Sequence, residues 1–243
     1  MRALDALFFD IDDTLCATTA FAQRARRNAV RAMLEAGLAA PEESVYRELE
    51  DVISEFSSNY EHHFDKLLLR LDPRSLQDLN PALVVAAGVA AYHDTKFREL
   101  VPFDDVLPFF GALRKAGMRL GIITHGWTVK QAEKLVRLRL VPYLEPSAVF
   151  ISDQIGISKP NPKLYALALS DMRLVPHEAM YVGDSPEHDI APPQSLGMAT
   201  VWAARAAKRG LEGTGIAPDH VVRDFRELAG ILRERYGVRL DAF

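Results

Sequence analysis

Three carboxylates fall within four residues in Phe8-Phe9-Asp10-Ile11-Asp12-Asp13-Thr14-Leu15. Clustered carboxylates repel one another and resist desolvation, so they persist only with a cation, a shared proton or open water. The apolar run Ala6 to Phe9 just before them reads as a short buried strand. Carboxylates at the carboxyl end of such a strand suit a metal and phosphate site. The plainer alternative is an acidic loop that caps a helix.

Further along, each expected strand ends in a polar residue suited to the same site. Thr124 is followed by His125 and Gly126, and Lys159 lies in Gly156-Ile-Ser-Lys159-Pro160-Asn-Pro162. Gly183-Asp184-Ser185 follows an apolar run, and Asp189 comes five residues after Asp184. If the strands are parallel, these ends share one rim. Asp10, Asp12, Asp184 and Asp189 would then meet Lys159 and the Thr124 hydroxyl, an inventory for holding Mg²⁺ and a phosphoryl group.

The elements that must position these residues form two patterns. From about Ala17 to Leu100 the sequence reads as helix throughout, with Phe21, Ala25, Ala29 and Met33 at helical spacing. Gly37 is a stop, Pro41 and Pro81 open helices, and Ser58 with Glu61 has capping-box spacing before Phe64. From Val101 onward, strands and helices alternate. Strands are expected at Arg119–Thr124, Val149–Ser152, Met180–Gly183, Ala199–Trp202 and Val221–Val222. Asn161 and Asp224 read as N-caps, a helix after Asp184 is expected to end near Gly197, and the last helix ends at Gly237. This alternation implies parallel βαβ units. The fold expected is α/β, a Rossmann-like parallel sheet sandwiched by helices, with an inserted all-helical module. The core is residues 1–16 and 100–243, and the insert is 17–99.

The bulk composition narrows the function. At 243 residues and 49% hydrophobic, the chain can bury a large core. A net charge of -4 gives no footprint for nucleic acid or an anionic membrane. Cys16 is the single cysteine, so no disulfide framework exists, and a reducing cytoplasm is the expected setting. Asp5 and Asp10 come too early for the apolar stretch of a signal peptide, and Leu83 to Tyr92 is too short to span a bilayer.

The four motifs, in this order and spacing, resemble those of the haloacid dehalogenase superfamily, in the branch whose helical cap lies between the first and second motifs (subfamily I). Asp10 to Thr14 matches the first motif and Thr124 the second. Lys159 in Lys-Pro-Asn-Pro matches the third, and Gly183-Asp184 through Asp189 the fourth. The resemblance implies a Mg²⁺-dependent phosphomonoester hydrolase. In it Asp10 attacks phosphorus to form an aspartyl phosphate, and Asp12 protonates the leaving oxygen and then activates water. Mg²⁺ would be held by Asp10, the Asp12 carbonyl and Asp184. Thr124, the His125 amide and Lys159 would bind the phosphoryl oxygens, with Asp189 in support. Substrates of this kind are small soluble phosphorylated metabolites, namely sugar phosphates, phosphoglycolate-like acids or nucleotides, turned over by a monomer or homodimer.

Two departures stand out. The family more often has Asn where this chain has His125, a position that needs only its amide. Ala191-Pro192-Pro193 after the fourth motif stiffens the first helical turn and deletes two amide donors, which bears on where Asp189 sits. A phosphomutase shares both aspartates and is the nearest alternative. A 2-haloacid dehalogenase lacks the second acid, and a phospho-receiver domain is about half this length. In the insert, Asn59, Tyr60 and His63 are candidate substrate contacts. Arg24 and Arg27 read as a solvated basic face. His62 and His63 with Asp65 look like half a metal site, but successive helical positions point apart.

Overall fold

The computed structural model describes residues 4–241. The chain divides into two compact units, Met1–Ala17 with Val101–Phe243, and Thr18–Leu100.

The first unit is built on a six-stranded sheet. Its strands are β1 (Ala6–Phe9), β2 (Arg119–Thr124), β3 (Val149–Ile151), β4 (Ala179–Gly183), β5 (Ala199–Ala203) and β6 (His220–Val222). Their order is β3-β2-β1-β4-β5-β6, and every neighbouring pair is parallel. β1 is therefore central, and the strand order reverses beside it, where open α/β sheets place their ligands. Its four residues are all buried because helices cover both faces of the sheet. Alternation sends Phe9 to one face, where it meets Phe109, Phe110 and Phe225. Phe8 goes to the other, against Phe150 and the cluster that holds Tyr165 and Tyr181.

The second unit is a bundle of α1 (Thr18–Glu35), α2 (Glu42–Phe56), α3 (His63–Arg70) and α4 (Pro81–Glu99). Its core gathers Val30, Met33, Val45, Leu49, Leu67 and Val84, apolar residues that the four helices turn inward. Arg24 and Arg27 lie on its surface, paired to Glu99 and Glu43. The capping box expected at Ser58 and Glu61 does not form. Ser57 turns with φ 68, and Tyr60 stacks on Phe56 with ring centroids 4.9 Å apart. That turn delays the helix until His63, behind His62, which makes no side-chain cap.

The remaining helices belong to the sheet unit: α5 (Val106–Lys115), α6 (Thr128–Arg137), α7 (Ser152–Ile155), α8 (Pro162–Asp171), α9 (Ala191–Ser195) and α10 (Phe225–Tyr236). Asn161 and Asp224 cap α8 and α10 through their side chains, and Gly237 closes α10 with φ 69. The single helix expected after Asp184 is instead a π-type turn, Pro186–Ile190, followed by the one-turn α9. Pro186, Pro192 and Pro193 withhold the amide donors that a regular helix would need there. Likewise Ser152, expected to end the third strand, begins α7.

Candidate active site

The carboxyl ends of β1, β2 and β4, with the loop before α8, converge as parallel register requires. Asp10 continues the β1 ladder, its amide donating to Val182 O at 3.0 Å. Beyond it the chain turns, with Asp13 in the left-handed region at φ 55. Lys159 reaches in with a side chain 2% exposed, and its Nζ donates to Asp10 Oδ1 at 2.8 Å and Asp189 Oδ1 at 2.7 Å. A third bond runs to Tyr181 Oη at 2.6 Å, which itself donates to Ile123 O. Burial disfavours the ammonium, but Asp10 and Asp189 outweigh it and hold the lysine well above its ordinary value.

Asp189 keeps its place despite Pro192 and Pro193. Its Oδ2 accepts from Ser185 N at 3.0 Å within the π-type turn. The fit depends on Gly183, where an added Cβ would lie 2.4 Å from Asp189 Cβ. Tyr165 pins the same turn by donating to His188 O at 2.5 Å. Asp184 is anchored through its carbonyl, which accepts from Trp202 Nε1 at 2.6 Å.

Charge in this cluster is unbalanced. Burial pushes Asp184 up to about 8, and the neighbouring Asp10, Asp189 and Asp13 add to the effect. Asp10 is pushed up to about 6, chiefly by burial and against the pull of Lys159. Carboxylate oxygens of Asp10, Asp184 and Asp189 lie within 4.8 Å of one another, so the cluster can bind a metal ion. An all-oxygen set suits a hard divalent cation. Both Asp189 oxygens already accept protein bonds, which leaves Asp10 and Asp184 as the better side-chain ligands.

The hydroxyls of Thr124 and Thr14 are buried with no hydrogen-bond partner among the described residues. A buried hydroxyl is costly to leave unpaired, so that of Thr124, at the end of β2, is suited to a ligand oxygen. His125 Nδ1 lies 2.8 Å from Ser158 Oγ and 3.2 Å from Ser152 Oγ. Burial first, then the charges of Lys159 and His188, lower its pKa, so the ring is neutral near pH 7. A cavity of about 420 Å³ is lined by Asp10, Asp12, His125, Lys159 and Asp184, with Lys208 and Arg209 from the loop before β6.

Thus Asp10, Asp12, His125, Lys159, Asp184 and Asp189 share one cavity, whereas Thr124, buried at the end of β2, is not among the residues that line it. Asn59, Tyr60 and His63 belong to the helical unit, around the turn between α2 and α3, where His63 Nε2 lies 2.8 Å from Ser57 O. The polar contacts of His62 and His63 go to Asp65 and Ser57, while both rings meet Tyr60 edge-on. Sequence reasoning missed Tyr181, Gln131, Lys134 and the Lys208–Arg209 pair. Gln131 and Lys134 do carry a signal, since i,i+3 spacing puts both on one face of the helix that follows Thr124.

Comparison with known proteins adds a family. The model of the haloacid dehalogenase-like hydrolases matches residues 4–197. A glyceraldehyde 3-phosphate phosphatase of Methanopyrus kandleri is 44% identical over 235 residues, 95% of this chain and 98% of that protein. One from Pyrococcus furiosus is 40% identical over 239 residues, 98% and 96% of the two chains. The solved HAD phosphatase of Thermococcus onnurineus shares the fold at TM-score 0.65 and 23% identity, covering 94% of this chain and 98% of that one. The chain belongs to the haloacid dehalogenase-like hydrolase family.

Proposed function

We propose that this protein is a Mg²⁺-dependent phosphatase that releases phosphate from a short phosphorylated sugar of the glyceraldehyde 3-phosphate class. The observation that carries this reading is the Lys159 ammonium, buried between the carboxylates of Asp10 and Asp189. The substrate class rests on relatives named glyceraldehyde 3-phosphate phosphatase that align over nearly the whole chain.

Asp10 Oδ is the nucleophile. Lys159 draws charge from it and from the incoming phosphoryl oxygens, and so lets a carboxylate approach an anion. Thr124 Oγ1 and the His125 amide hold phosphoryl oxygens in line. Asp12 hands a proton to the departing oxygen and later takes one from water. Asp189 steers Lys159. Asp10, Asp184 and the Asp12 carbonyl would hold Mg²⁺, which would supply positive charge to offset that of the phosphoryl group. The helical unit, residues 18–100, serves as the cap that selects the alcohol portion of the substrate, with Asn59, Tyr60 and His63 as its contacts. The cytoplasm is the setting we infer, since the single cysteine, Cys16, gives no disulfide framework.

Phosphate release from a panel tests this reading. The panel holds glyceraldehyde 3-phosphate, larger sugar phosphates, phosphoglycolate and nucleoside monophosphates, each with Mg²⁺ and with chelator. Release confined to Mg²⁺ and strongest on glyceraldehyde 3-phosphate is expected. Release in chelator would remove the metal, and isomerised sugar phosphate without release would move the reading to a mutase.

A further inference from the structure

Asp12 lies past the end of β1, where the sheet ladder no longer fixes its side chain. Two residues of α6 take over. Lys134 Nζ donates to Asp12 Oδ1 at 2.6 Å and to Oδ2 at 2.7 Å. Gln131 Nε2 donates to His125 O at 2.8 Å and lies 3.3 Å from Asp12 Oδ2. Lys134 is 16% exposed along its side chain, and Gln131 is buried. Neither lines the cavity that Asp12 lines.

The seat for Gln131 is itself prepared. Gly126 has φ +139, a backbone that disfavours any side chain, and an added Cβ there would lie 2.6 Å from Gln131 Nε2. Ser152 Oγ holds the Gly126 amide at 3.0 Å. An exposed ion pair would fix little. Here the pair is half-buried, with the Asp12 side chain 30% exposed, and the lysine grips both carboxylate oxygens, backed by a glutamine tied to the backbone beside the phosphoryl site.

We propose that Lys134, assisted by Gln131, is the positioning residue for Asp12, setting where its carboxyl meets the leaving oxygen. This rests on the reading of Asp12 as proton donor. In the first step the ester P–O bond breaks as Asp10 bonds to phosphorus. The electron pair stays on the departing oxygen, which takes the Asp12 proton. In the second, water attacks phosphorus, the bond to Asp10 breaks, and a water proton returns to Asp12. Lys134 keeps its own protons in both steps. It grips one oxygen of the acid while the other carries the proton, and both oxygens of the carboxylate afterwards.

The test compares two esters in the full-length protein. Glyceraldehyde 3-phosphate leaves as an alkoxide that needs a proton; p-nitrophenyl phosphate leaves as a phenolate that does not. Lys134→Met should lower kcat/KM, which reports formation of the aspartyl phosphate before water is activated, on the first by about 10- to 100-fold, the cost of misplacing a catalytic group, with kcat/KM on the second ester little changed. Lys134→Arg should restore part of the loss, and Gln131→Ala should show a smaller loss with the same preference. Asp12→Asn, run beside them, should show the preference at full size, about 10²- to 10⁴-fold. An equal fall on both esters, or no fall, in Lys134→Met and Gln131→Ala would overturn the proposal while leaving Asp12 as the acid if Asp12→Asn discriminates. If Asp12→Asn does not discriminate, the Asp12 reading fails and takes this proposal with it.

Discussion

The sheet unit buries two carboxylate networks that resolve their charge in opposite ways. Asp105, 2% exposed just before α5, accepts from Arg205 Nη1 at 2.7 Å, from Arg205 Nη2 at 2.6 Å and from Phe225 N at 2.8 Å. Burial opposes its ionisation, yet those bonds outweigh burial and hold its pKa below the ordinary carboxylate range. Around Asp10 the sum runs the other way, with Asp10 and Asp184 both pushed up. One network is complete within the protein, whereas the other is short of positive charge. A fold built only for stability has little reason to keep the second kind, so the deficit marks the place where a cation and a phosphoryl ligand belong.

Breaking each network in turn should separate activity from stability. Asp10→Asn should abolish turnover, by at least ~10⁴-fold for a lost nucleophile, while circular dichroism and the cooperative melt persist. Near-normal phosphate release would remove Asp10 as nucleophile. Asp105→Ala should do the reverse. It strands the Arg205 guanidinium and the Phe225 amide, and Arg205, 28% exposed, can recruit some water. The cost therefore falls at the low end for a broken buried pair, about 3 kcal/mol. Urea titration would measure it, and turnover should persist at low temperature. A stability loss within error would mean that Asp105 and Arg205 contribute no more than a surface pair.

The two networks also differ in how far the sequence discloses them. Asp10, Thr124, Lys159 and Asp184 were legible because each follows an apolar run or a Gly-Pro signal, and a parallel sheet brings such ends to one rim. Asp105 and Arg205 lie 100 residues apart and carry no motif, so only tertiary structure pairs them. Lys134 is hidden for a related reason, since a lysine late in an amphipathic helix looks like any solvated one. Where local signals competed, the backbone decided. The Ser57 turn displaced the cap expected at Ser58, and three prolines converted an expected helix into the π-type turn that seats Asp189.

A subtler contrast should appear in the pH dependence of stability after divalent cations are stripped. The stabilisation from Asp105 is complete above the unfolded carboxylate value of about 4 and is lost as pH falls through its lower folded value. For Asp184 the sign reverses. Its folded value is about 8, so ionising it inside the fold costs stability. That cost is absent below about pH 4, grows as pH rises, and is complete above 8. The stripped protein should therefore lose unfolding free energy between about pH 5 and 8.5 relative to Asp184→Asn, which has no proton to release there. The difference between the two proteins cancels the titration of His125 and His220, whose lowered values they share. Saturating Mg²⁺ should flatten the wild-type decline, because the cation stabilises the ionised form of Asp184. Parallel slopes for stripped wild type and Asp184→Asn would mean that Asp184 ionises without penalty. The two networks would then differ in their partners but not in their charge balance.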